Sequence, residues 1–448
     1  ASGAPDKPIV ITNGTDAGHN GTAILDEQNQ RYNGVVLHNV NHVVVQNLSI
    51  QNITDSGFSV KSATGGVVIQ NNRVYSGMGL GNGANARGYD VRNSVGANAV
   101  IVRNNSYSTP PATTSQADGI WSSGNNGVVF EGNSIVISNS NDYGHSDNIQ
   151  SYQDMNITIR NNYFSHPNGG ANNHGMWLSD ARGTIAIYNN VVDMPRGDEQ
   201  AITYWNETGY SGRALVWNNT VYGAYLCFRF VAAPGSELKN NICHAGQSGV
   251  VFENAAPPAA NIDHNLIWAP TGNIAGINGS PKTWAEWQAY GFDLHGINAA
   301  PQFASANFSL ASTSPAINRG TNLAQVTADF IGTARPQDGS YDIGAFESRL
   351  APPNDSKSPS MPVNVTGIAA SATQINLSWN ASTDALGVVG YNVYSGGIKH
   401  ATTVTPAFAD TGLVPGMSYI YSIEAVDAAG NVSAKSASIK VTTPKAGQ

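Results

Sequence analysis

The chain has 448 residues, too many for one ordinary hydrophobic core, so we expect either two domains or an array of repeats. Its 48 glycines and its charged fraction of 12% are typical of a β-rich protein with many turns. The net charge of -8 argues against nucleic-acid binding, which calls for a basic surface, and no apolar stretch is long enough to cross a membrane.

Asparagine pairs recur through the first part of the chain, mostly at steps of roughly 28–29 residues, and a short β-branched run precedes most of them. They are Asn71-Asn72, Asn104-Asn105, Asn161-Asn162, Asn189-Asn190, Asn218-Asn219 and Asn240-Asn241, with Gly132-Asn133 filling the one gap. A buried asparagine can bond its counterparts one coil above and below, which satisfies its amide along a ladder. The pattern predicts an all-β fold, a right-handed parallel β-helix of about eight to ten coils.

Beyond the repeats, residues 280–350 predict a closing segment over the open edge of the last coil, beginning with one short helix near Trp284. Residues 351–361 form a Pro/Ser-rich linker after this first domain, 1–350. Residues 362–448 alternate as half-buried strands and predict a small β-sandwich with Trp379 in its core and Tyr419 at a tyrosine corner. The only two cysteines, Cys227 and Cys243, are either a disulfide or two buried thiols.

Aligning the coils on their asparagine pairs brings residues from distant coils onto one outward face. One column holds Ser59, Arg92, Trp121, Gln150, Trp177, Thr203 and Arg229. At the turn that starts each strand stand Ser56, Tyr89, Asp118, Asp147, His174, Gln200 and Leu226, while Lys61, Tyr152 and Trp205 lie farther along their strands. Charged side chains and aromatic rings along one face predict an elongated groove suited to a sugar chain.

The column Asp118, Asp147 and His174 is the sharpest motif. Two carboxylates one coil apart repel each other, so one would hold a proton, and the set predicts either an acid/base pair or a divalent-cation site. Calcium takes oxygen ligands, and Asp118 and Asp147 are its candidate ligands. The alternative is that each aspartate only bonds the amides of its own turn.

Other residues of the face have candidate roles beside this column. His145, on a loop, can exchange a proton near neutral pH. Arg92, Arg229 and Lys61 either neutralise a uronate carboxylate or are solvated groove edges. Aromatic rings that can stack on sugars are Trp121, Trp177, Tyr152 and Tyr204, and Gln150 faces the same groove.

Residues 8–350 resemble the pectate-lyase-like superfamily of polysaccharide-active parallel β-helices, and residues 362–448 resemble a fibronectin type III module. Ala117-Asp118-Gly119-Ile120, Ser146-Asp147 and Asn173-His174-Gly175 look like the strand starts of polygalacturonase-type inverting hydrolases. That resemblance would make Asp118 and Asp147 activate water, with His174 as a supporting donor. Ser146 stands where those enzymes place the general acid, and their Arg-Ile-Lys substrate clamp is missing.

Resemblance to the β-helix lyases implies different roles for the same face. Arg92, His145 or His174 would be the base for the C5 proton, Tyr152 or Tyr143 the acid, and Asp118 and Asp147 calcium ligands. Mannuronan C5-epimerases share the proton abstraction and rank third. A non-catalytic glycan-binding β-helix would keep the tryptophan platforms but has no use for stacked Asp–Asp–His.

We therefore expect a secreted bacterial enzyme, monomeric, that cleaves an acidic polysaccharide. β-Elimination is placed slightly ahead of hydrolysis. The fibronectin module implies the extracellular setting and acts as a spacer or weak binder. The sequence starts without a basic and apolar leader, so any signal peptide is expected to be already removed.

Overall fold

The computed structural model describes residues 2–13, 23–27, 33–75, 86–110, 117–138, 146–170, 173–207, 210–254, 258, 261–270, 272–348, 357–384, 388–403, 405–427 and 431–445. Contacts divide the chain into two compact units, Ala1–Ser348 and Arg349–Gln448. Most of the predicted linker, 351–361, lies outside the described residues. Among those described, no helix has the length and apolar character that a membrane span requires.

The first unit is a parallel β-helix of ten coils with three strands in each coil. The strands of the first five coils are β1 (Ile9–Ile11), β2 (Ala23–Asp26), β3 (Asn33–His38), β4 (Val43–Gln46), β5 (Leu48–Gln51), β6 (Ser56–Lys61), β7 (Val67–Gln70), β8 (Arg73–Tyr75), β9 (Ala86–Arg92), β10 (Val100–Arg103), β11 (Ser106–Ser108), β12 (Ala117–Ser123), β13 (Val129–Glu131), β14 (Ser134–Val136) and β15 (Asp147–Tyr152). The strands of the last five are β16 (Ile157–Arg160), β17 (Tyr163–Ser165), β18 (His174–Ser179), β19 (Thr184–Tyr188), β20 (Val191–Asp193), β21 (Gln200–Trp205), β22 (Arg213–Trp217), β23 (Thr220–Tyr222), β24 (Leu226–Val231), β25 (Glu237–Lys239), β26 (Ile242–His244), β27 (Ser248–Glu253), β28 (Ile262–Asp263), β29 (Leu266–Trp268) and β30 (Asn273–Ile277).

The first strands of all coils form one sheet, the second strands another, and the third strands the sheet that carries the predicted groove. Side chains alternate between the two faces of each strand, so every second residue points inward. Stacked apolar columns such as Val67, Val100 and Ile157 fill the interior, and each is almost fully buried. The all-β solenoid predicted from the repeats is confirmed.

The asparagine pairs explain how consecutive coils are held in register. The second residue of each pair forms a ladder in which Nδ2 donates to the Oδ1 of the next coil at 2.9–3.1 Å; the ladder runs through Asn72, Asn105, Asn133, Asn162, Asn190, Asn219, Asn241 and Asn265. The first residue of each pair has a positive φ, 53° at Asn104 and 64° at Gly132. Asparagine and glycine tolerate that conformation, which is why glycine can fill the gap.

Asp293 ends the ladder, because its Oδ1 accepts from the side chain of Asn265 at 2.8 Å and its Oδ2 accepts from Trp287 Nε1 at 3.0 Å. Trp287 lies on the helix α1 (Trp284–Ala289), which follows β31 (Ser280–Lys282) and begins with a capping box between Thr283 and Glu286. Its indole stacks on Phe252 and covers the end of the core.

The rest of the closing segment differs from the prediction, because it packs along the side of the β-helix as well as over its end. Asn189, Asn218 and Asn240, the outward members of three pairs, donate to backbone carbonyls of Ala328, Asp342 and Thr321. Tyr188 and Trp217 pack against Val326 and Tyr341 of this segment. The left-handed asparagines therefore both turn the chain and hold its closing segment.

The second unit has two antiparallel sheets, of three and four strands. Its strands are β32 (Thr366–Ser371), β33 (Gln374–Ser378), β34 (Val388–Ser395), β35 (Ile398–Thr403), β36 (Ala407–Thr411), β37 (Ser418–Asp427) and β38 (Ile439–Thr442). Trp379 lies in its core, as predicted, and the Tyr419 hydroxyl accepts from the backbone N–H of Val414 at 2.8 Å. That contact is the tyrosine corner expected of this sandwich.

Candidate functional site

The third sheet places the residues of the predicted groove, with one change of register. In the coil of β9, the structure pairs Tyr89 with Ile120 and Asp90 with Trp121, whereas the sequence alignment had put Val91 and Arg92 at these positions. The cause is the turn 93–99, which is two residues longer than the equivalent turn 62–66 of the preceding coil. Counting back from the asparagine pair therefore shifted this coil by two residues.

The corrected register brings Arg87 beside Asp118, where the alignment had placed Tyr89. The predicted Asp–Asp–His column is thus a column of four charged or ionisable residues, Arg87, Asp118, Asp147 and His174, on neighbouring strands. Arg87 donates from Nη1 to Asp55 at 2.9 Å, and Asp55 is 36% exposed. Arg87 Nε is buried without a hydrogen-bond partner among the described residues. Sequence reasoning missed Arg87 because the two-residue shift of this coil put Tyr89 at its position.

Asp118, Asp147 and His174 are brought together as the stacking predicted. Asp118 Oδ1 accepts from the backbone N–H of Asp147 at 3.2 Å, and His174 Nδ1 lies 3.0 Å from Asp147 Oδ1. Both aspartates are fully buried, and His174 is 7% exposed. The amide that Asp118 accepts from belongs to the next coil and not to its own turn, and the contact of Asp147 fixes the ring of His174.

Buried polar side chains behind the column hold its backbone in place. Ser146 Oγ accepts from the amide of Ala117 at 3.0 Å, and the amide of Ser146 donates to Asn173 Oδ1 at 2.8 Å. Ser146 is 2% exposed, so it links coils at the position where the resemblance would place a general acid. These bonds position the strand starts at Asp118, Asp147 and His174.

A second buried pair, His166 and Glu199, lies behind Asn173. His166 Nδ1 is 3.3 Å from Glu199 Oε1, and both side chains are fully buried. Burial raises the pKa of Glu199, and its contacts with His166 and Asn173 oppose that effect.

Aromatic rings extend from this column across the third sheet. The indole of Trp177 lies edge-on to the ring of His174, with centroids 4.7 Å apart, and stacks on Trp205 at 5.9 Å. The guanidinium of Arg229 covers Trp205 at 4.9 Å. Trp205, which the sequence placed on the face without a role, thus joins Trp177 in one aromatic strip.

Trp121 is surrounded by cations that other groups already neutralise in part. Arg87 and Arg92 lie 4.7 and 5.8 Å from its ring centroid. Arg92 Nε donates to the buried Asp90 at 2.6 Å, and Lys61 lies 4.0 Å from the same carboxylate. Asp90 is therefore a second residue that the shifted alignment concealed.

Arg229 is likewise paired, with Glu253 at 3.0 and 3.2 Å. The predicted uronate-neutralising roles of Arg92, Arg229 and Lys61 thus compete with carboxylates of the protein itself. Arg87 is also paired, with Asp55 at 2.9 Å, and its side chain is 13% exposed.

Other predicted residues lie apart from the column. Tyr152 is 41% exposed but is five positions after Asp147 on β15, about 16 Å along the strand, too far to act on the same bond. Lys61 and Arg92 lie at that same far end of their strands. Gln150 lies between Trp121 and Trp177 in the register.

Tyr204 is a correction, because it is fully buried and tilts against Phe230 in the core. Two residues after the inward Ile202, it must point inward by the alternation of the strand. His145 and Tyr143 lie outside the described residues.

The residues proposed for calcium fit that ion poorly. Ca²⁺ takes six to eight oxygen ligands. Here Asp147 Oδ1 faces an imidazole nitrogen, Asp118 Oδ1 accepts an amide, and both side chains are buried. Among the described residues, the only set of three His, Cys, Asp or Glu ligands close enough for one metal ion lies elsewhere.

Comparisons with known proteins concern about a fifth of the chain. It is 45% identical over 101 residues to chitinase Chi52 of Paenibacillus xylanexedens, which is 22% of this chain and 19% of the relative. It is 45% identical over 89 residues to exoglucanase B of Cellulomonas fimi, covering 20% of this chain and 8% of the relative, and 48% identical over 93 residues to chitinase A1 of Niallia circulans, covering 20% and 13%.

Solved structures match over a similar share. Chitinase ChiA74 from Bacillus thuringiensis matches at 31% identity and a TM-score of 0.19, over 22% of this chain and 15% of the other. FN3tt matches at 22% identity and a TM-score of 0.18, over 20% and 98%. No protein-family profile matches the chain. The chain thus spans less than a fifth of the length of each curated relative described above, and the similarity is to a segment of these enzymes.

Proposed function

We propose that the chain is a secreted polysaccharide-degrading enzyme whose catalytic centre is the column Arg87, Asp118, Asp147 and His174. The observation that carries the proposal is the placement of a guanidinium, two carboxyl groups and an imidazole on four neighbouring strands. A structural face of the β-helix has no need of this set. The similarity of a segment to modules of chitinases and an exoglucanase supports a polysaccharide as the substrate class.

β-Elimination from a uronate is the reaction that this arrangement favours, because it needs a cation for the carboxylate and a base beside it. Arg87 would bind the uronate carboxylate through guanidinium donors. His174, fixed at Nδ1 by Asp147, would take the C5 proton at Nε2. The electron pair of the C5–H bond forms the C4–C5 double bond while the C4–O4 bond breaks.

The leaving O4 needs a proton, and Asp118 would supply it, because Asp147 must stay ionised to accept from His174 Nδ1. Repulsion between carboxylates held on adjacent coils favours a protonated member of the pair. Tyr152, one of the two acids that the resemblance implied, is too distant for this role, and the other, Tyr143, lies outside the described residues. Trp177 and Trp205 would hold a neighbouring sugar ring on the same face.

Hydrolysis is the second candidate, favoured by the direct contact of Asp118 with the backbone of Asp147. In that reaction one carboxylate activates water and no uronate is needed. The two reactions leave different products, since only elimination creates a conjugated double bond.

The test is a digestion panel of the full chain on polyuronates and on neutral polysaccharides such as chitin, read by ultraviolet absorbance and by reducing ends. Elimination gives both signals on a polyuronate, whereas hydrolysis gives reducing ends alone. Asp147→Asn and His174→Ala should each lower kcat/KM by about 100-fold or more. His38→Ala, on the same sheet but in the first coil, is the matched control.

Full activity in both Asp147→Asn and His174→Ala would refute the assigned centre. No cleavage of any polysaccharide by a folded chain would refute the enzymatic function. Calcium at Asp118 and Asp147 stays a prediction, tested by assaying chelator-treated enzyme with and without added Ca²⁺.

A disulfide supports the secreted setting. Cys227 and Cys243, left open by the sequence, are bonded in the structure. Bonds of this kind persist mainly in oxidising compartments.

A further inference from the structure

A second cluster of ionisable residues lies far along the β-helix from the column, at the last strand of the first sheet. Asp263 ends β28, His264 follows it, and His295 comes from the closing segment after α1. Asp263 Oδ1 accepts from the backbone N–H groups of His264 at 2.9 Å and of His295 at 2.8 Å. These two bonds fix the carboxylate and leave Oδ2 facing both imidazoles.

The three side chains present their ligand atoms to one point. Asp263 Oδ2 lies 2.7 Å from His295 Nδ1 and 3.4 Å from His264 Nδ1, and the two imidazole rings stack with centroids 4.9 Å apart. All three ligand atoms lie within 4.8 Å of one another. We propose that Asp263, His264 and His295 form a three-ligand site for a zinc-class divalent transition metal, with a remaining position open to water.

The donor set decides the class of metal. Two imidazole nitrogens and one carboxylate oxygen suit zinc and its neighbours, whereas calcium and magnesium prefer oxygen alone. Zinc bonds of about 2.0–2.1 Å in tetrahedral geometry separate two ligands by about 3.3–3.4 Å. The distance from His264 Nδ1 to Asp263 Oδ2 already has this value, 3.4 Å. His295 must move outward by about 0.6 Å, and its side chain is 68% exposed and able to do so.

The surroundings of His264 indicate that the cluster is more than an ion pair between Asp263 and His295. Its Nδ1 is buried and lacks a hydrogen-bond partner among the described residues, although Asp263 is close. A buried polar atom left unpaired costs free energy, and a metal ion would satisfy it. Lys239, the register partner of Asp263 on the neighbouring strand, is paired with Glu237 at 3.2 Å.

The repeat itself marks His264 as an exception. It precedes the ladder residue Asn265 and has a φ of 59°, so it occupies the position that asparagine or glycine takes in the preceding coils. Asparagine would serve the turn there as it does elsewhere. A histidine at this position therefore points to a role beyond the turn, as departures from a local rule often do.

A bound metal would join the last coil to the closing segment. Asp263 and His295 are 32 residues apart in the chain, and Asp293 already anchors this region by ending the asparagine ladder. Because the unfolded chain has no such preformed site, metal binding adds to the free energy of unfolding. The expected role is to stabilise the end of the β-helix.

Calorimetric titration of the untagged full chain with zinc chloride, after chelator treatment and dialysis, tests the site. One equivalent of zinc should bind and raise the melting temperature. His264→Asn and His295→Ala each remove a ligand and should weaken binding by more than about 10–100-fold, the loss that removing an outer-shell partner of a ligand causes. The first restores the residue of the other coils and the second removes an exposed side chain, so neither is expected to disturb folding.

Two controls separate this site from other binding. His400→Ala removes an imidazole 2.9 Å from Asp410 in the second unit and should leave zinc binding unchanged. Asp147→Asn should also keep one equivalent, so the outcome is independent of the proposed catalytic column. Absence of zinc binding by the wild-type chain, or equal affinity in wild type and His295→Ala, would overturn the proposal.

Discussion

Arg87 lies directly beside Asp118 in the register of β9 and β12, with a guanidinium and a carboxylate at the start of neighbouring strands. Asp118 and Arg87 therefore extend the Asp147–His174 contact toward the N-terminal coils. A cation next to stacked carboxyl groups is expected in a site that binds an acidic sugar, whereas a site for a neutral sugar does not need it. Arg87 is accordingly the residue on which the preference for an acidic substrate should depend.

Replacing Arg87 with alanine should lower kcat/KM on a polyuronate by about 100-fold, in the range measured when a charge-stabilising donor is removed from an active site. Arg87→Lys should restore part of the loss, because the charge returns without the planar fork. Arg103→Ala is the control, since this arginine lies on the first sheet and bonds Gln70. Equal loss in both alanine variants, measured with folding checked by circular dichroism, would contradict a role for Arg87.

Trp177→Ala should raise KM by about 3–10-fold with a smaller effect on kcat, because a stacking platform is worth about 0.5–1.5 kcal/mol beyond its burial. Trp177→Phe should keep part of the effect. Steady-state kinetics on a soluble oligosaccharide measure the separation of KM from kcat. Tyr290→Ala removes an exposed aromatic ring beside α1 and should change neither constant. A kcat loss as large as the KM change would indicate disturbance of His174, which Trp177 contacts.

The repeat predicted the fold and most of the column, because every coil repeats the same turn at its asparagine pair. The sequence could not place Arg87 and Asp90, since the longer turn at 93–99 breaks the spacing and a strand read two residues off keeps the same inward and outward pattern. The same alternation excludes Tyr204 from the groove, because it lies two residues after the inward Ile202. The histidine cluster was missed because His295 lies beyond the repeats, where no coil alignment reaches it.

The disulfide between Cys227 and Cys243 should stabilise the later coils. It closes a loop with a sequence separation of 16, which corresponds to about 3 kcal/mol of unfolding free energy by the loop-entropy estimate. A reductant should lower the urea midpoint of the wild-type chain. The double variant Cys227→Ala/Cys243→Ala should start from a lower midpoint and show no response to the reductant. A wild-type midpoint that is unchanged after confirmed reduction would contradict the prediction.

Asp154 should make stability depend on pH in a direction opposite to most carboxylates. It is fully buried. Its Oδ1 accepts from the backbone N–H of Asn125 at 2.7 Å, and its Oδ2 accepts from Ser151 Oγ at 2.7 Å. Burial raises the pKa of Asp154, and these hydrogen bonds oppose the rise without cancelling it. The folded state therefore holds a proton that the unfolded state releases, so this contribution is fully present below the unfolded pKa of about 3.9 and is lost as pH rises through the folded value.

Asp154→Asn removes this dependence while keeping both contacts, because the amide oxygen can accept from Asn125 and the amide nitrogen can donate to the Ser151 hydroxyl. The difference in unfolding free energy between variant and wild type should shift in favour of the variant between about pH 4 and about pH 7. Urea unfolding at both pH values measures it, with the exposed Asp6→Asn as control. A variant whose disadvantage grows toward neutral pH would show that the buried carboxylate is stabilised by its hydrogen bonds more than burial penalises its charge.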